Sequence, residues 1–495
     1  MVQIGRLIDA LLRYRTINDA DVDIRSITSD SRKVQPGSLF VALSGYTVDG
    51  HDFIQESVER GAVALLVERE AKDVNVPQIV VPDSHLASAI VADVFYGHPS
   101  KRMRMIGVTG TNGKTTVTHL IERVLADAGK SPGICGSLGA RFAGKSIELA
   151  NTTPFPVDLQ SILNDMVLSG CTHGVMEVSS HALERRQTAG TDYRVAVFTN
   201  LTQDHLDFHG TMEAYLAAKG KLFSRLGNGY GDDRLGMSYG VLNADDPAST
   251  YLSQQTVSEC VTYGIQNEAD VRAVDVQIGA DGLRCTVHTW QGTGRLEMAL
   301  TGRFNVYNAL AAISVGLIEG ISLDSILGSL KRMPGVPGRL ERVPGDQPFT
   351  VLVDYSHTPD SLENALQTIH EFAEGRVITV VGCGGDRDKG KRPIMARIAC
   401  DQSDLAILTS DNPRTEDPES ILDDMEAGVR GTASNYRRVL DRAVGIESAV
   451  AEAKPGDIIL IAGKGHETYQ IIGRTKHHFD DREVAKAAIL KRVGG

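Results

Sequence analysis

Short apolar runs alternate with amphipathic segments along most of the chain. The apolar runs predict buried strands at residues 62–67, 78–81, 103–108, 174–178, 195–200, 377–381, 405–409 and 458–462. The amphipathic segments predict helices, among them 54–60, 84–96 and 309–319. Strands that alternate with helices are typical of α/β proteins with mostly parallel sheets. The pattern therefore predicts an α/β fold whose central part is a doubly wound sheet.

Two stretches rich in glycine and proline divide this pattern. Residues 97–100 end a small α/β unit, which begins with an amphipathic helix predicted within residues 1–19. Residues 333–339 precede a second series of strands. At 495 residues the chain is also too long for a single hydrophobic core. We therefore predict three domains, at residues 1–99, 100–337 and 338–495.

Composition and charge exclude several classes of protein. The chain is 42% apolar and 23% charged, as expected of an ordinary soluble protein. Its net charge of −12 is not offset by a basic tract, which argues against nucleic-acid and anionic-membrane partners. No apolar run is long enough to span a bilayer, and the first residues lack the features of a signal peptide. The six cysteines are scattered without a C-x-x-C pair, so we expect reduced thiols in a cytoplasmic protein. We also expect the protein to be a monomer.

A glycine-rich segment follows the strand predicted at 103–108 and opens a helix. Its residues are Gly110, Thr111, Asn112, Gly113, Lys114, Thr115 and Thr116. In this context the backbone N–H groups and the helix N-terminus are suited to phosphate, Lys114 to the terminal phosphates and Thr115 to Mg²⁺. The usual pattern has a further glycine at the position of Val108. The segment predicts an ATP site.

Polar residues follow the next two predicted strands of the central sheet. Glu177 and Ser179 lie at the end of strand 174–178, and His205 follows strand 195–200. Open α/β sheets bind ligands at the carboxyl ends of their strands. Glu177 is therefore a candidate Mg²⁺ ligand and Ser179 a candidate substrate contact. A single histidine is more often structural, but its place after a second strand of the same sheet favours a ligand role for His205.

Several other residues of the first two domains have less specific signals. By default Lys219 is a solvated helix lysine. Asn305 can cap the helix predicted at 309–319, and Asn308 offers an amide that suits an adenine edge. In the first domain, Ser29 and Ser31 lie in a turn with Arg32, and a polar turn spans residues 46–51. These groups suit a sugar or nucleoside diphosphate, although an Asp/Ser turn between strands explains them equally well.

The third domain again has polar residues after its strands. Thr358 and Pro359 predict a helix start, and the glycine-rich, charged segment 384–393 after strand 377–381 predicts an anion-handling loop. The next two strands are followed by further candidate residues, which are Asp411, Asn412, Pro413, Arg414, Gly463 and Glu467.

Five segments together resemble the Mur ligases of peptidoglycan precursor synthesis. They are residues 110–116, 177–181, 204–207, 354–359 and 384–393. The resemblance follows the order of the family's motifs over essentially the whole chain, and is strongest to members that extend UDP-N-acetylmuramoyl-L-alanyl-D-glutamate. It implies a UDP-binding first domain, a central P-loop ATPase domain and a Rossmann-like third domain for the incoming amino acid. It also implies that ATP phosphorylates the D-glutamyl side-chain carboxylate, and that an amine then attacks the acyl phosphate.

The resemblance assigns roles residue by residue. Thr115 and Glu177 match Mg²⁺ ligands, His205 matches a ligand of a second Mg²⁺, and Lys219 matches a lysine that family members carry as a carbamate. The nucleotide contacts it implies are Asn308, Arg339 and Asp354. The UDP-substrate contacts it implies are Ser31, Thr152, Thr153 and Ser179, with Ser29 beside them. Ser356 replaces a commoner alanine. Gln187 replaces an arginine, so the contact among Arg185, Arg186 and Gln187 is left open.

The segment 411–414 resembles that of members that add meso-diaminopimelate. Diaminopimelate is lysine with a second carboxylate at its far end, so its site needs a cation beside an anion. Arg414 suits the carboxylate, with help from Arg387, and Glu467 suits the ammonium. A site for lysine, the alternative acceptor, would leave Arg414 unpaired. We therefore predict diaminopimelate.

Two other functions are consistent with parts of this pattern. Folylpolyglutamate synthase has the same ligase core but lacks a first domain resembling residues 1–99. A Mur-like scaffold without activity is a second alternative, against which the presence of Lys114, Glu177, His205 and Lys219 argues.

Overall fold

The chain folds into alternating strands and helices, so the predicted α/β class is confirmed. The computed structural model describes residues 1–44, 49–149, 151–227, 233–279 and 282–493. It divides into a first unit (1–272, 288–292 and 307–329) and a second unit (273–287, 293–306 and 330–495). Among the described residues, no helix combines the length and apolarity needed to cross a bilayer.

The elements are numbered in chain order. The strands are β1 (Val2–Gln3), β2 (Arg15–Ile17), β3 (Asp23–Ile24), β4 (Ser26–Thr28), β5 (Ser38–Val41), β6 (Ala62–Val67), β7 (Gln78–Val80), β8 (Arg104–Thr109), β9 (Pro132–Gly136), β10 (Gly139–Phe142), β11 (Lys145–Ile147), β12 (His173–Glu177), β13 (Val195–Phe198), β14 (Tyr239–Asn243), β15 (Glu259–Gly264), β16 (Val271–Gly279), β17 (Gly282–Thr289), β18 (Gly292–Met298), β19 (Glu341–Arg342), β20 (Thr350–Asp354), β21 (Val377–Cys383), β22 (Leu405–Ser410), β23 (Tyr436–Arg438), β24 (Ile458–Ala462), β25 (Tyr469–Ile472) and β26 (Thr475–His478).

The α-helices are α1 (Ile4–Ile8), α2 (Ile54–Glu59), α3 (Ser84–Phe95), α4 (Lys114–Asp127), α5 (Pro156–Leu168), α6 (Ser180–Glu184), α7 (Leu206–His209), α8 (Met212–Phe223), α9 (Ala248–Ser253), α10 (Arg303–Ile318), α11 (Leu323–Lys331), α12 (Pro359–His370), α13 (Lys391–Asp401), α14 (Pro418–Glu426), α15 (Arg442–Glu452) and α16 (Asp481–Val493). Short 3₁₀ helices include Ser31–Lys33 and Gly50–Phe53.

Two sheets dominate the first unit. The smaller has the order β2-β7-β6-β5-β4, with β4 to β7 parallel and β2 antiparallel to β7. The larger runs β11-β10-β9-β12-β8-β13-β14-β15 and is parallel from β9 to β15. Strand β8 lies between β12 and β13, and their register places Glu177 beside Val108 and Phe198 beside Thr109. The carboxyl ends of these three strands are therefore adjacent.

The sheet of the second unit has the order β19-β20-β24-β21-β22-β23. Strands β20, β24, β21, β22 and β23 are parallel, and β19 is antiparallel to β20. The register sets Asp354 beside Ala462 and Cys383 beside Ser410. The loops after β20, β21, β22 and β24 therefore leave the same edge of the sheet. Thr358 caps α12 with Pro359 in its first turn, as predicted.

Two local predictions are wrong. The amphipathic helix predicted within residues 1–19 is only α1, because the chain turns after it and Arg15–Ile17 pairs with β7 instead. Asn305 does not cap a helix at 309, because α10 begins at Arg303 and contains Asn305 in its first turn. There its side-chain amide donates to the carbonyl of Thr301 (2.7 Å).

Candidate active site

The glycine-rich loop connects β8 to α4, as the sequence predicts for a phosphate-binding loop. Gly110 and Gly113 have φ of +146° and +86°, which favour glycine. A Cβ at Gly110 would overlap the hydroxyl of Thr199. The Lys114 amine donates to the carbonyls of Gly110 (3.0 Å) and Thr111 (2.8 Å), so it lies over its own loop. The loop therefore has the backbone form on which a phosphate site depends.

Thr115 and Glu177 meet, as predicted. The Thr115 hydroxyl donates to Glu177 Oε2 (3.0 Å). Ser137 donates its backbone N–H to Glu177 Oε1 (2.8 Å) and its hydroxyl to Oε2 (3.2 Å). Glu177 is 1% exposed. A hydroxyl and a carboxylate oxygen in contact are a donor set that Mg²⁺ accepts, so these two residues fit the predicted metal.

Lys219 is buried, so the default expectation of a solvated helix lysine is wrong. Its amine donates to the Gly110 carbonyl (2.8 Å) and lies 4.2 Å from the centre of the Tyr215 ring. Burial, reinforced by the nearby Lys114 charge, lowers the pKa of Lys219 well below its ordinary value. An uncharged amine is the form that reacts with carbon dioxide, so the environment suits the carbamate that the resemblance implies.

His205 lies at the start of α7 with a left-handed backbone (φ +54°). Its ring centre is 4.6 Å from that of His181 and 6.1 Å from that of Tyr215. Burial is the main cause that lowers the pKa of His205, which keeps the imidazole neutral as a metal ligand must be. Across the described parts of the chain, however, no three His, Cys, Asp or Glu side chains form a group that could hold a metal ion. The His205 and Lys219 ligand roles stay predictions.

Two residues that the sequence analysis missed hold the glycine-rich loop. The Asn200 side chain accepts from the Asn112 N–H (2.9 Å) and donates to the Asn112 carbonyl (3.2 Å). The Thr199 hydroxyl donates to the same carbonyl (2.6 Å). Asn308 also lies against the loop, since a Cβ at Gly113 would be 2.5 Å from its Oδ1. A polar pair directly after β13 was the available signal for Thr199 and Asn200.

A cavity of about 1570 Å³ in the first unit contains three of the predicted UDP-substrate residues. They are Ser29, Ser31 and Arg186, and Arg185 also lines it. Gln187 is buried and is not part of this lining. Residues 46–48 of the predicted polar turn lie outside the described residues.

The other three predicted UDP-substrate residues lie close to Glu177. The Thr152 hydroxyl is 3.1 Å from that of Ser137. The Thr153 hydroxyl donates to the Glu177 carbonyl (2.9 Å) and accepts from the Ser179 N–H (3.0 Å). The roles of all these residues stay predictions.

In the second unit, Arg339 and Asp354 lie close to one aromatic side chain. Asp354 accepts from the Leu340 N–H (2.7 Å). Burial raises its pKa, against the opposing effect of Arg339. The Arg339 guanidinium lies 5.6 Å from the centre of the Tyr355 ring, and the centre of the His466 ring lies 5.0 Å from the same ring centre. The nucleotide contacts of Arg339 and Asp354 stay predictions.

The predicted acceptor residues converge at the edge where β21, β22 and β24 end. A Cβ at Gly384 would lie 3.3 Å from Arg414 Nη1 and 3.8 Å from Arg387 Cγ, so both arginine side chains pass close to this glycine. Gly463 and Asp411 are in contact, since a Cβ at Gly463 would lie 2.6 Å from Asp411 Oδ2. A Cβ at Gly385 would overlap the Pro413 carbonyl.

Glu467 has a cationic partner that the sequence analysis missed. Its Oε2 accepts from the Asn412 amide (2.8 Å) and from the Lys464 amine (3.0 Å). Lys464 is fully buried and also donates to Asn412 Oδ1 (3.0 Å). The acceptor residues therefore place arginines, a lysine and carboxylates within one group, which suits a ligand that carries charges of both signs.

Acid is expected to destabilise the second unit through His466. Burial, with the charges of Arg339, Arg482 and Lys464, lowers the pKa of His466 from 6.5 to about 4. As the pH falls, the unfolded chain therefore binds a proton at this histidine before the folded chain does. The folded state keeps its full stability with respect to His466 above about pH 6.5 and loses stability as the pH falls towards 4. When the pH is lowered from 7 to 4.5, the unfolding free energy of the His466→Gln variant should fall by about 1–3 kcal/mol less than that of the wild type. Urea unfolding at both pH values measures this.

The control for this prediction is His477→Gln. His477 is an exposed residue of β26 in the same unit. Its substitution should leave the pH dependence of the unfolding free energy as in the wild type. An H466Q variant with the wild-type dependence would contradict the prediction.

Fold and site together define an α/β protein with two features. One is a glycine-rich loop of the form that binds phosphate, and the other is a second polar site with charges of both signs. Three family models match it: "Mur ligase family, catalytic domain" at 23–96, "Mur ligase middle domain" at 108–316, and "Mur ligase, glutamate ligase domain" at 338–465. The chain belongs to the Mur ligase family, as the sequence motifs predict.

Curated relatives and a solved structure agree with this membership. The chain is 52% identical to the UDP-N-acetylmuramoyl-L-alanyl-D-glutamate–2,6-diaminopimelate ligase of Geobacillus thermodenitrificans over 95% of this chain and 96% of the relative. It is 48% identical to the Bacillus cereus enzyme of the same name over 99% of each chain. A solved structure of a ligase of that name is 34% identical, with a TM-score of 0.67 over 95% of each chain.

Proposed function

We propose that this chain is an ATP-dependent ligase of peptidoglycan precursor synthesis. It joins meso-2,6-diaminopimelate to the D-glutamyl side-chain carboxylate of UDP-N-acetylmuramoyl-L-alanyl-D-glutamate. The proposal is supported by the names of relatives about half identical over nearly the full length. The observation that carries the choice of acceptor is that Arg387 and Arg414 both lie close to Gly384, in the unit that also holds Glu467. The acting species is proposed to be a cytoplasmic monomer.

The reaction needs ATP because a carboxylate is a poor electrophile. A carboxylate oxygen of the D-glutamyl group attacks the γ-phosphorus and ADP leaves, which gives an acyl phosphate. The neutral amine of the amino acid then attacks the carbonyl carbon. The tetrahedral intermediate loses phosphate and a proton, and the amide remains. The phosphorylation step places added negative charge at the transferring phosphoryl group, which is where the enzyme has to act.

The first unit supplies the groups for this step. The Lys114 amine, which already lies over the loop backbone, would contact the terminal phosphates and offset their negative charge. Thr115 and Glu177 would hold Mg²⁺, with His205 and carbamylated Lys219 as further ligands. When bound, Mg²⁺ neutralises phosphate charge. The Asn200 and Thr199 side chains keep the loop in shape throughout, because their bonds are to its backbone. The cavity with Ser29, Ser31 and Arg186 would take the UDP part of the substrate.

The second unit supplies the groups for the acceptor. Arg414, with Arg387, would bind the distal carboxylate of diaminopimelate. Glu467 would bind the distal ammonium, with its Oε2 already oriented by Asn412 and Lys464. Lysine lacks the distal carboxylate, so it would leave the two guanidinium groups without their partner.

ADP formation tests the ligase proposal. With ATP, Mg²⁺, the UDP-dipeptide and diaminopimelate together, the enzyme should form ADP and amide in equal amounts. Omission of either the UDP-dipeptide or diaminopimelate should stop sustained ADP formation. Lys114→Ala should abolish it, whereas Lys130→Ala, an exposed lysine beyond α4, should not. ADP formation that ignores the other substrates would contradict the proposal, and so would its absence from the complete mixture, which a scaffold protein would show.

A further inference from the structure

The two loops that carry Arg387 and Arg414 are bonded to each other. The loop after β21 donates its Gly385 N–H to the Asn412 carbonyl (2.9 Å). The Thr415 hydroxyl donates to Asp386 Oδ1 (2.8 Å). Asp386 and Thr415 are the immediate neighbours of Arg387 and Arg414 in sequence. A displacement of one loop therefore breaks bonds to the other.

An ion pair between the buried Arg392 and Glu416 supports these contacts. Arg392, near the start of α13, is fully buried. Its Nη1 donates to Glu416 Oε2 (3.0 Å) and its Nη2 to Glu416 Oε1 (2.9 Å). Nη2 also donates to the carbonyl of Gly384 (3.2 Å), the glycine close to both acceptor arginines. Two parallel bonds from a guanidinium to one carboxylate fix both distance and orientation.

Glu416 also reaches the loop after β21 directly. Its Oε1 accepts from the Asp386 N–H (2.6 Å). Arg392, as the main cause, lowers the pKa of Glu416 to about 2, so this carboxylate is ionised at neutral pH. One carboxylate thus joins the helix α13, the loop after β21 and the loop after β22.

The backbone at both loops needs such support. Asp386 and Arg414 have φ of +53° and +52°, a left-handed conformation that few residues with a side chain adopt. Residues in sparsely populated conformations persist only where their surroundings hold them. The Arg414 guanidinium itself donates to the Gly385 carbonyl (2.6 Å), so its direction depends on the position of the other loop.

We propose that Glu416 and Arg392 are positioning residues for acceptor selection. By joining the two loops they keep the side chains of Arg387 and Arg414 close to the same glycine, Gly384, and so keep both arginines available to the acceptor. In this role both residues act through the two loops and not by contact with the acceptor. The identity of the acceptor rests on the proposed function, but the positioning role does not.

The variant Glu416→Gln tests this role. Glutamine keeps the shape but has one acceptor oxygen, so it cannot serve the Asp386 N–H and both guanidinium nitrogens of Arg392. We expect the KM for diaminopimelate to rise about tenfold or more, with kcat and the KM values for ATP and the UDP-dipeptide within about threefold. The ratio of kcat/KM for diaminopimelate over lysine should fall by about tenfold. Thr415→Val, a milder change at an exposed residue, should shift the ratio in the same direction.

Asp457→Asn is the matched control. Asp457 accepts from Arg376 Nη2 (2.7 Å) and Nε (3.2 Å), so it forms a similar ion pair. These residues directly precede β24 and β21, so they lie at the amino-terminal ends of the strands, whereas the two loops leave the carboxyl ends. The control should lower thermal stability without changing the acceptor ratio, because it does not support the two loops.

Hydrogen exchange gives a readout that does not need activity. The Gly385 and Asp386 amides should exchange faster in E416Q than in the wild type, and at the wild-type rate in D457N. A wild-type enzyme that prefers lysine would overturn the acceptor assignment. The difference in acceptor KM and in amide exchange between E416Q and the wild type would still test the positioning role. An acceptor KM and ratio within twofold of the wild type would overturn the positioning role. If neither acceptor is used, unchanged exchange at the two amides would overturn it.

Discussion

Replacing Lys219 by alanine should lower kcat about 10³-fold or more while the protein stays folded. The Lys219 amine is buried beside the Gly110 carbonyl, and its lowered pKa keeps it in the form that reacts with carbon dioxide. In that reaction the neutral amine nitrogen bonds to the carbon of carbon dioxide and releases a proton, so an uncharged amine becomes an anionic carbamate. Alanine cannot form this anion, and the phosphorylation step loses a negative ligand beside the phosphate-binding loop.

Lys221→Ala is the control on the same helix. Lys221 pairs with Glu184 at the surface (2.5 Å), and its loss should leave kcat within about twofold. Acetate or another short carboxylic acid should restore part of the K219A activity, because it supplies the missing carboxylate. Steady-state rates and thermal unfolding of both variants measure this. A K219A enzyme within tenfold of the wild type would contradict the carbamate role.

Replacing Arg414 by alanine should lower kcat/KM for diaminopimelate by about 10²–10³-fold. The variant would lose the charge-assisted contact to the distal carboxylate, and Arg387 alone would remain beside Gly384. Because lysine has no distal carboxylate, its use should fall much less, so the preference between the two acceptors narrows. Arg414→Lys keeps the charge but not the forked geometry, and should recover only part of the activity.

Arg430→Ala is the control for this variant. Arg430 is exposed and pairs with Glu426 one helical turn away (2.7 Å) in the same unit. Its loss should leave both acceptor KM values unchanged. Acceptor kinetics at saturating ATP and UDP-dipeptide give the comparison. An R414A enzyme with the wild-type KM and kcat would remove Arg414 from the acceptor site.

The buried strands were the most predictable part of the fold. The bounds predicted for residues 62–67 and 458–462 are those of β6 and β24, because a fully buried parallel strand is a continuous apolar run between polar turns. The N-terminal helix was overpredicted, because the periodicity of residues 1–19 carries no information about the pairing of Arg15–Ile17 with β7. Helix pattern alone does not detect such a long-range competitor.

Site residues at strand ends were predictable for a related reason. Parallel strands place their carboxyl ends at one edge, so Glu177 could be expected near the glycine-rich loop, and Arg414 near Gly384. Lys219 could not be expected to be buried, since a lysine on a helix is by default solvated. Lys464 was missed although Glu467 is only three residues away, because a lysine is by default solvated. The Arg392–Glu416 pair was missed because its members lie on a helix and a distant loop, and no local pattern records such a contact.

The products formed from a mixture of acceptors test the central claim most directly. The enzyme is incubated with ATP, Mg²⁺ and UDP-N-acetylmuramoyl-L-alanyl-D-glutamate, with lysine and meso-diaminopimelate at equal concentration. The mass of the UDP-linked product then identifies the amino acid that was joined. We predict that the diaminopimelate product accumulates in large excess, in step with ADP. A product that is mainly the lysine amide, or ADP formation without any amide, would contradict the account.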